Sequence, residues 1–389
     1  MDRIVDLDGI PLDYINDHGY DFLLEDDYLT AEAVLVDVAE QAAFKLASAN
    51  IYRLYQQELE ELIRGNNLAI LSLPAMMNDL IKYSWEHGHK HMAARFDYAG
   101  GIDGDPIKLL ELNADTPTML PESGGVQQAF LQHYSRPGAS QFNNLESDLE
   151  QVFASLANIN AESHHSMLFT TLGHEEDVAN LQPLMEAAKS AGFDVAYADL
   201  PDIEFAPGEG VFLENEDGTY TQYDYLYKLF PWEFACFEEP DLLADLHNLI
   251  TNDLLYVINP PYALVFQSKL FLAHVSRLHP DHKYLLKCTD SKEDFAGQPY
   301  VEKVTFGRLG QNIRIMDDSG RVVEETDGDC GQYPRVYQEF TKLYHDEDDD
   351  VYQPSVFMVG GKPSSLSFRR GEKLIIDDDA QFIPHITLA

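Results

Sequence analysis

The sequence predicts an α/β fold, and three features of the chain lead to this prediction. A chain of 389 residues with 45% hydrophobic residues can bury a large core. A buried strand at 167–171, a helix at 177–191 and a strand at 194–197 form a strand–helix–strand unit, which indicates a parallel sheet. From residue 300 onward, strands separated by Gly, Asp and Pro turns indicate antiparallel pairing.

The first 90 residues are predicted to form a mainly helical segment. Thr30 is a favourable N-cap residue, and apolar residues recur at helical spacing as far as Arg64, where Gly65 would end the helix. Pro74 is suited to opening a second helix, which would end at Gly88.

A β-hairpin is predicted next, with strands at 94–98 and 107–113 and a Gly-rich turn between them. Alternation places Arg95 and Asp97 on one face of the first strand, and Glu111 and Asn113 on one face of the second. If these faces coincide, three oxygen ligands of the kind that Mg²⁺ prefers converge beside a guanidinium. The spacing alone leaves an alternative open, a solvated face with a cross-strand Arg–carboxylate pair.

The rest of the chain is predicted to alternate helices and strands. Helices are expected up to about residue 133, at 145–157 and at 267–278, and a further strand at 254–258. The C-terminal third would hold five strands, at 300–304, 312–317, 334–340, 354–359 and 364–369.

The net charge of −41 is extreme, and it argues against nucleic-acid or anionic-membrane partners, which attract Lys and Arg. Two explanations stay open: a surface adapted to a salty milieu, or an acidic cleft that attracts a cationic substrate such as a polyamine. Three cysteines without a CxxC spacing, no signal peptide and no apolar run of about 18 residues predict a cytoplasmic protein.

One stretch of the C-terminal third could bind phosphate. Lys303 ends a predicted strand, and a loop containing Gly307, Leu309 and Gly310 follows, which could fold over a nucleotide. The sequence has no GxxxxGK[ST] motif, so a P-loop is excluded. By itself the pattern also fits an ordinary hairpin.

The run Arg-x-Asp followed by Glu-x-Asn-Ala-Asp-Thr-Pro-Thr resembles the synthetase half of glutathionylspermidine synthase and its stand-alone relatives, presumed acid–amine ligases. The similarity covers most of the chain and implies an ATP-grasp core with a pre-ATP-grasp-like α/β subdomain and an N-terminal helical segment. The whole chain, 1–389, would be one synthetase unit: a helical segment at 1–90, a metal and phosphate hairpin at 91–135, the pre-ATP-grasp-like part at 160–255 and the nucleotide-binding part at 256–389. No Cys precedes Cys236, so we expect no Cys/His amidase.

The resemblance also implies functional residues. Two Mg²⁺ ions would be held by Asp97, Glu111 and Asn113, and charge on the reacting groups would be stabilised by Arg95 and Arg370. Residues expected to bind ATP are Arg95, Lys269, Lys303, Gly307, Leu309, Gly310, Gln338 and Glu339. Residues expected near the acid and amine substrates are Thr116, Thr118, Glu175 and Glu176.

Each of these assignments has an ordinary structural alternative. Glu175 and Glu176 could simply favour the first turn of a helix, and Arg370 could form a surface ion pair. One position departs from the family: Leu229 replaces a Thr that contacts glutathione, which predicts that glutathione is a poor acid substrate. The resemblance does not identify the acid, the amine or the oligomeric state.

The expected function is ATP-dependent joining of a small carboxylate or peptide to a small, polyamine-like amine through an acyl phosphate. The alternative is a relative that only hydrolyses ATP, or that binds a polyamine or peptide without catalysis. Intact metal ligands and both lysines favour the ligase.

Overall fold

The computed structural model describes residues 3–134, 136–158 and 165–388. Its α-helices are α1 (Leu12–His18), α2 (Val38–Arg64), α3 (Ala75–Glu86), α4 (Gln127–Gln132), α5 (Leu145–Ala157), α6 (Glu175–Ser190), α7 (Trp232–Phe237), α8 (Pro240–Thr251), α9 (Ala263–Gln267) and α10 (Lys269–Leu278).

The strands lie mainly before α4 and after α5. They are β1 (Ile4–Asp6), β2 (Glu32–Leu35), β3 (Ala93–Ala99), β4 (Lys108–Asn113), β5 (Ser166–Thr171), β6 (Asp194–Asp199), β7 (Glu204–Ala206), β8 (Gly210–Glu214), β9 (Tyr220–Tyr223), β10 (Tyr225–Lys228), β11 (Tyr256–Ile258), β12 (Cys288–Thr289), β13 (Tyr300–Val304), β14 (Arg314–Met316), β15 (Val322–Glu325), β16 (Arg335–Glu339), β17 (Tyr344–His345), β18 (Val351–Val359), β19 (Lys362–Gly371), β20 (Gln381–Ile383) and β21 (His385–Ile386).

The start of the first long helix was predicted too early. Residues 32–35 form strand β2, which pairs with β1 and with β21 from the C-terminus. The helix α2 begins at Val38, where Asp37 and Glu40 form a capping box. Apolar residues before Val38 belong to the strand, and in so short a stretch a strand and a helix give similar patterns.

The strand–helix–strand prediction is confirmed by a four-stranded parallel sheet. Its order is β11-β10-β5-β6, and α6 connects β5 to β6. Strand β10 was not predicted, although it lies beside β5 in the middle of this sheet. Its four residues are all buried, so no alternation of polar and apolar residues marks it.

The hairpin of β3 and β4 is the edge of a larger antiparallel sheet. The order of this six-stranded sheet is β20-β19-β18-β3-β4, and β17 also pairs with β18. The turn packs against α2, because a Cβ atom at Gly101 would lie 2.3 Å from the ring of Phe44. A separate five-stranded sheet, β12-β16-β13-β14-β15, carries the predicted phosphate loop. Strands far apart in the sequence thus contribute to the site.

Among residues 3–134, 136–158 and 165–388, no helix combines the length and the apolar character needed to cross a membrane.

Candidate active site

The hairpin register brings the four predicted polar residues to one face. Arg95 lies opposite Asn113, and Asp97 lies opposite Glu111. Residues directly opposite each other on antiparallel strands share a face. The two polar faces therefore coincide, which the alternation within each strand had left open. The arrangement also contains an Arg–carboxylate pair, although that pair is formed within one strand, between Arg95 and Asp97.

Asp97 is the centre of this cluster and is 2% exposed. Its two oxygens accept hydrogen bonds from Arg95 at 2.9 and 3.1 Å. Asn113 Nδ2 donates to Asp97 Oδ2 at 2.8 Å, and Ser355 Oγ, on β18, donates to Asp97 Oδ1 at 2.8 Å. Arg95 also donates to the backbone oxygen of Thr118 at 2.9 Å. Every member of the cluster is fixed by another, so the side chains are held in place before any ligand binds.

Two lysines from other elements reach Glu111. Lys269, the first residue of α10, forms an ion pair with Glu111 Oε2 at 3.1 Å. Lys303, on β13, lies close enough to act on its charge. Burial opposes ionisation of Glu111, but Lys269 and Lys303 more than compensate and lower its pKa to about 2. The carboxylate is therefore ionised at neutral pH.

The Gly-containing loop after β13 contacts Lys269. Lys269 Nζ donates to the backbone oxygen of Gly307 at 3.1 Å. Gly310 has a φ of +69°, and a Cβ atom there would lie 2.6 Å from the backbone oxygen of Ile376. Only glycine fits such a close approach at positive φ. Leu309 also has positive φ and is exposed.

Strand β16 points two of the residues expected to bind ATP, Gln338 and Glu339, to opposite faces. Gln338 is buried; its Oε1 accepts from Lys303 Nζ at 2.9 Å and its Nε2 donates to the backbone oxygen of Leu109 at 3.1 Å. The exposed carboxylate of Glu339 accepts from the backbone N–H of Lys287 at 3.3 Å instead. Gln338 therefore joins the cluster, whereas the Glu339 side chain does not.

The structure brings Arg369, rather than Arg370, to the cluster. Ser355 lies opposite both Asp97 and Ser367, and Arg369 follows Ser367 by two positions on β19. Because alternate residues share a face, Arg369 faces the side that carries Asp97. Arg370 points away from it.

The contacts of Arg370 fit an ordinary structural role. It donates to Gln381 at 2.6 and 2.8 Å and to Glu32 at 2.7 Å. Arg369 is 9% exposed, and its Nε has no hydrogen-bond partner among the residues that the structure describes. A motif match could not choose between two adjacent arginines, because the choice depends on strand register.

The oxygen donors of the hairpin fit a hard divalent cation. Two carboxylates and a carboxamide lie together, and Asn113 Nδ2 now bridges Asp97 Oδ2 at 2.8 Å and Glu111 Oε1 at 3.4 Å. A cation would replace that bridge, with the amide oxygen turned toward it. In the part of the chain that the structure describes, no group of three or more His, Cys, Asp or Glu side chains is arranged to hold a metal.

Comparison with known proteins identifies the family. A family model described as glutathionylspermidine synthase preATP-grasp matches residues 11–388. The chain belongs to this family. It is 25% identical over 320 residues to a presumed acid–amine ligase of Haemophilus influenzae, covering 80% of this chain and 78% of that protein. It is 23% identical over 375 residues to the bifunctional glutathionylspermidine synthetase/amidase of Escherichia coli, covering 91% of this chain and 59% of that protein.

A glutathione synthetase-like effector from Globodera pallida has a similar structure. Its TM-score is 0.55 at 9% sequence identity, over 96% of this chain and 97% of that one. This likeness confirms the predicted α/β fold class, an ATP-grasp type of architecture. The relatives are named as ligases and synthetases, which confirms the predicted enzyme class.

Of the substrate residues predicted from the glutathionylspermidine synthase family, Thr118 contacts the cluster, because its backbone oxygen accepts from Arg95. Thr116 and Thr118 are half-buried in the segment after β4. Glu175 and Glu176 are exposed in the first turn of α6, which is also the position that their structural alternative requires. Glu176 does, however, face another acidic group.

That group is Asp378, in the acidic run before β20. Burial raises the pKa of Asp378, and the charges of Asp377 and Glu176 raise it further, whereas Arg369 lowers it. Carboxylates from two distant segments therefore lie close enough to repel each other next to Arg369. A bound cation would relieve this repulsion.

Leu229 lies beside a buried ion pair. Lys228 Nζ donates to Asp115 Oδ1 at 2.6 Å, and both side chains are fully buried. The other oxygen of Asp115 accepts from the backbone N–H of Trp232 at 2.6 Å. Leu229 itself is 5% exposed and cannot donate a side-chain hydrogen bond. The Lys228–Asp115 ion pair fixes the segment after β10 in place. Leu229, which replaces the Thr of the family, therefore occupies a well-defined position.

Sequence reasoning missed several residues of the site. Ser355 and Ser367 belong to no motif, and only strand pairing brings them to Asp97 and Arg369. The predictions gave Glu122 no functional role. No local signal could have found the serines, whereas a glutamate just after the Thr-Pro-Thr motif could have been noticed.

Proposed function

We propose that this chain joins a carboxylate to an amine in an ATP-dependent reaction, with an acyl phosphate as intermediate. The observation that carries the proposal is the convergence of Asp97 and Glu111 with two buried lysines and an arginine, from three separate parts of the chain, on one face of a sheet. Such a cluster matches the charges of a nucleoside triphosphate and its Mg²⁺ ions.

The first step forms the acyl phosphate. The substrate carboxylate attacks the γ-phosphorus of ATP, and ADP leaves. Lys269 and Lys303 would hold the phosphates, and Arg95 would stabilise the negative charge on the phosphoryl group during its transfer. Two Mg²⁺ ions held by Asp97, Glu111 and Asn113 would neutralise phosphate charge.

The second step forms the amide. A neutral amine nitrogen attacks the acyl carbon, and phosphate leaves. We assign to Arg369, instead of Arg370, the stabilisation of the negative oxygen in the tetrahedral intermediate, because Arg369 faces the cluster and has a free Nε–H. Thr116 and Thr118 would contact the acid, and Glu175 and Glu176 the amine. A cytoplasmic location fits the three free cysteines.

The experiment that tests this function is a screen for ADP release over paired acids and amines, with mass spectrometry of the products. We expect at least one pair to give ADP and an amide in equal amounts. ADP release without any amide would favour the ATP-hydrolysing alternative, and no ADP release with any pair would contradict the proposal.

We predict that the amine substrate carries more than one positive charge. The repulsion between Glu176 and Asp378 would be relieved by a distal ammonium group, while the attacking nitrogen must be neutral. In a series of amines of matched length, kcat/KM should rise with one, two and three ammonium groups at low salt. The preference should weaken at high salt, since the Debye length falls from about 10 Å at 0.1 M to about 3 Å at 1 M. If kcat/KM is equal for monoamines and diamines at low salt, the prediction of a polyamine substrate is wrong. The protein would then be an acid–amine ligase whose acidic surface is adapted to salt.

We also predict that glutathione is a poor acid substrate. Leu229 offers no hydroxyl group, and an unpaired buried acceptor costs about 1–3 kcal/mol, which is roughly tenfold to a hundredfold in kcat/KM. Leu229→Thr should raise kcat/KM for glutathione by a similar factor, with Leu229→Val as the control for the change of shape. If glutathione equals the best acid in the screen, another group provides the missing hydrogen bond.

A further inference from the structure

A buried carboxylate next to the candidate site has an oxygen without a partner. Glu122, in the turn Glu122–Val126 before α4, is 4% exposed. Its Oε1 accepts a hydrogen bond from the hydroxyl of Tyr28 at 2.9 Å, whereas its Oε2 has no hydrogen-bond partner among the described residues. An unpaired buried oxygen is costly, so proteins rarely keep one without a use.

Glu122 lies against the face of the sheet that carries the cluster. The Oγ of its neighbour Ser123 is 3.0 Å from the Oγ of Ser367, and Ser367 lies opposite Ser355 on that face. The charges of Arg95 and Arg369 both act on the Glu122 carboxylate.

The two arginines do not use the free oxygen. Arg95 donates to Asp97 and to the backbone of Thr118, and Arg369 donates to the backbone oxygens of Asp377 and Ala380. If Glu122 served only as the counter-ion of these arginines, its Oε2 would accept a hydrogen bond from one of the guanidinium groups. Neither arginine donates to it.

Two unpaired atoms, one on Glu122 and one on Arg369, are complementary to the groups of the tetrahedral intermediate that precedes the amide. Within residues 3–134, 136–158 and 165–388, Glu122 Oε2 is a buried acceptor without a donor, and Arg369 Nε is a buried donor without an acceptor. In the tetrahedral intermediate the attacking nitrogen carries N–H groups and the former carbonyl oxygen carries negative charge. An unpaired acceptor can bind the N–H group of this intermediate, and an unpaired donor can bind its negative oxygen.

We propose that Glu122 is the base that takes a proton from the attacking amine; this rests on the proposed ligase function. A primary ammonium group is mostly protonated at pH 7 and cannot attack in that form. The Glu122 carboxylate accepts one proton, and the nitrogen lone pair forms the C–N bond. The acyl C–O bond then breaks, the second nitrogen proton leaves with the phosphate as HPO₄²⁻, and Glu122 returns its proton to water.

The groups around Glu122 suit this role. Burial raises the pKa of its carboxyl, whereas a hydrogen bond from its own backbone N–H, the hydrogen bond from Tyr28 and the charges of Arg95 and Arg369 lower it. Tyr20 is a further titratable group close enough to interact with the Glu122 charge. A carboxylate with a raised pKa is a better proton acceptor than one in water, and the nearby cations favour its ionised form. Since the ionised form is the active one, amide formation should fall as the pH drops through this pKa.

The test compares two nucleophiles with Glu122→Gln. Hydroxylamine is mostly neutral at pH 7 and needs no base, so trapping of the acyl phosphate as the hydroxamate should stay within about threefold of the unaltered protein. Amide formation with the best alkylamine of the screen should fall by about a hundredfold or more, and the acidic limb of its pH profile should vanish. Glu150→Gln, at an exposed carboxylate on α5, is the control and should change neither rate.

The possible outcomes separate this role from others. If hydroxamate and amide formation fall by the same factor, Glu122 is structural and the proposal is wrong. If Glu122→Gln does not fold, Glu122→Asp provides the same comparison, because it keeps the charge but withdraws the oxygen. If the unaltered protein forms neither product with any pair, the ligase function itself has failed, and that result does not depend on Glu122.

Discussion

Replacing Glu111 by Ala should lower ATP turnover by roughly a hundredfold or more while the protein stays folded. Glu111 is the carboxylate that lies opposite Asp97 and pairs with Lys269 at 3.1 Å. Without it, the proposed metal site loses one of its two charged ligands, and the ammonium of Lys269 loses its counter-ion. ADP release at saturating Mg²⁺ and ATP measures the effect, and circular dichroism with thermal unfolding checks the fold.

Matched variants separate metal binding from general damage. Asp97→Asn should cause a loss similar to that of Glu111→Ala, because both carboxylates would hold Mg²⁺, whereas Glu61→Ala, on the exposed side of α2, should leave turnover unchanged. Excess Mg²⁺ should partly restore a weakened site, so the Mg²⁺ concentration for half-maximal turnover should rise. Near-normal turnover in folded Glu111→Ala would contradict the metal-site assignment.

The second large effect is expected at Arg369. Arg369→Ala removes the donor that faces the cluster, and kcat should fall by about 10²–10³-fold, the usual loss when one donor to a transition-state oxygen is deleted. Arg370→Ala is the matched control on the same strand. It breaks contacts with Glu32 and Gln381, so it should lower the unfolding temperature and change kcat by less than about tenfold.

The comparison of Arg369 with Arg370 can also contradict the assignment. A large loss of kcat for Arg370→Ala with little loss for Arg369→Ala would return the role to Arg370 and would mean that the register of β18 and β19 differs in the active protein. Arg369→Lys adds information, because lysine keeps the charge but lacks the fixed Nε–H. We expect it to recover only part of the activity.

Local patterns sufficed where the information lies within one element. The hairpin of β3 and β4, helix α5 and the β5–α6–β6 unit were predicted closely, because alternation, helical periodicity and turn residues are all short-range signals. The local patterns did not predict the strand at residues 32–35 or strand β10. A short strand that pairs with a distant segment, or that is buried on both faces, carries no pattern of its own.

The sequence by itself determined which residue types could bind Mg²⁺ and phosphate. Alternation placed Arg95 with Asp97 on one face of a strand, and Glu111 with Asn113 on one face of the next. The pairing of the two strands then decided that these faces coincide. Only the tertiary structure decided which distant residues meet them. Lys269 arrives at the start of a helix and Arg369 on a strand in the same sheet, nearly 280 residues after the hairpin begins. Alternation along β19 shows that Arg369 and Arg370 point to opposite faces of the sheet. It does not show which of them shares a face with Asp97, because that depends on the pairing of β18 with β3, which is a long-range contact.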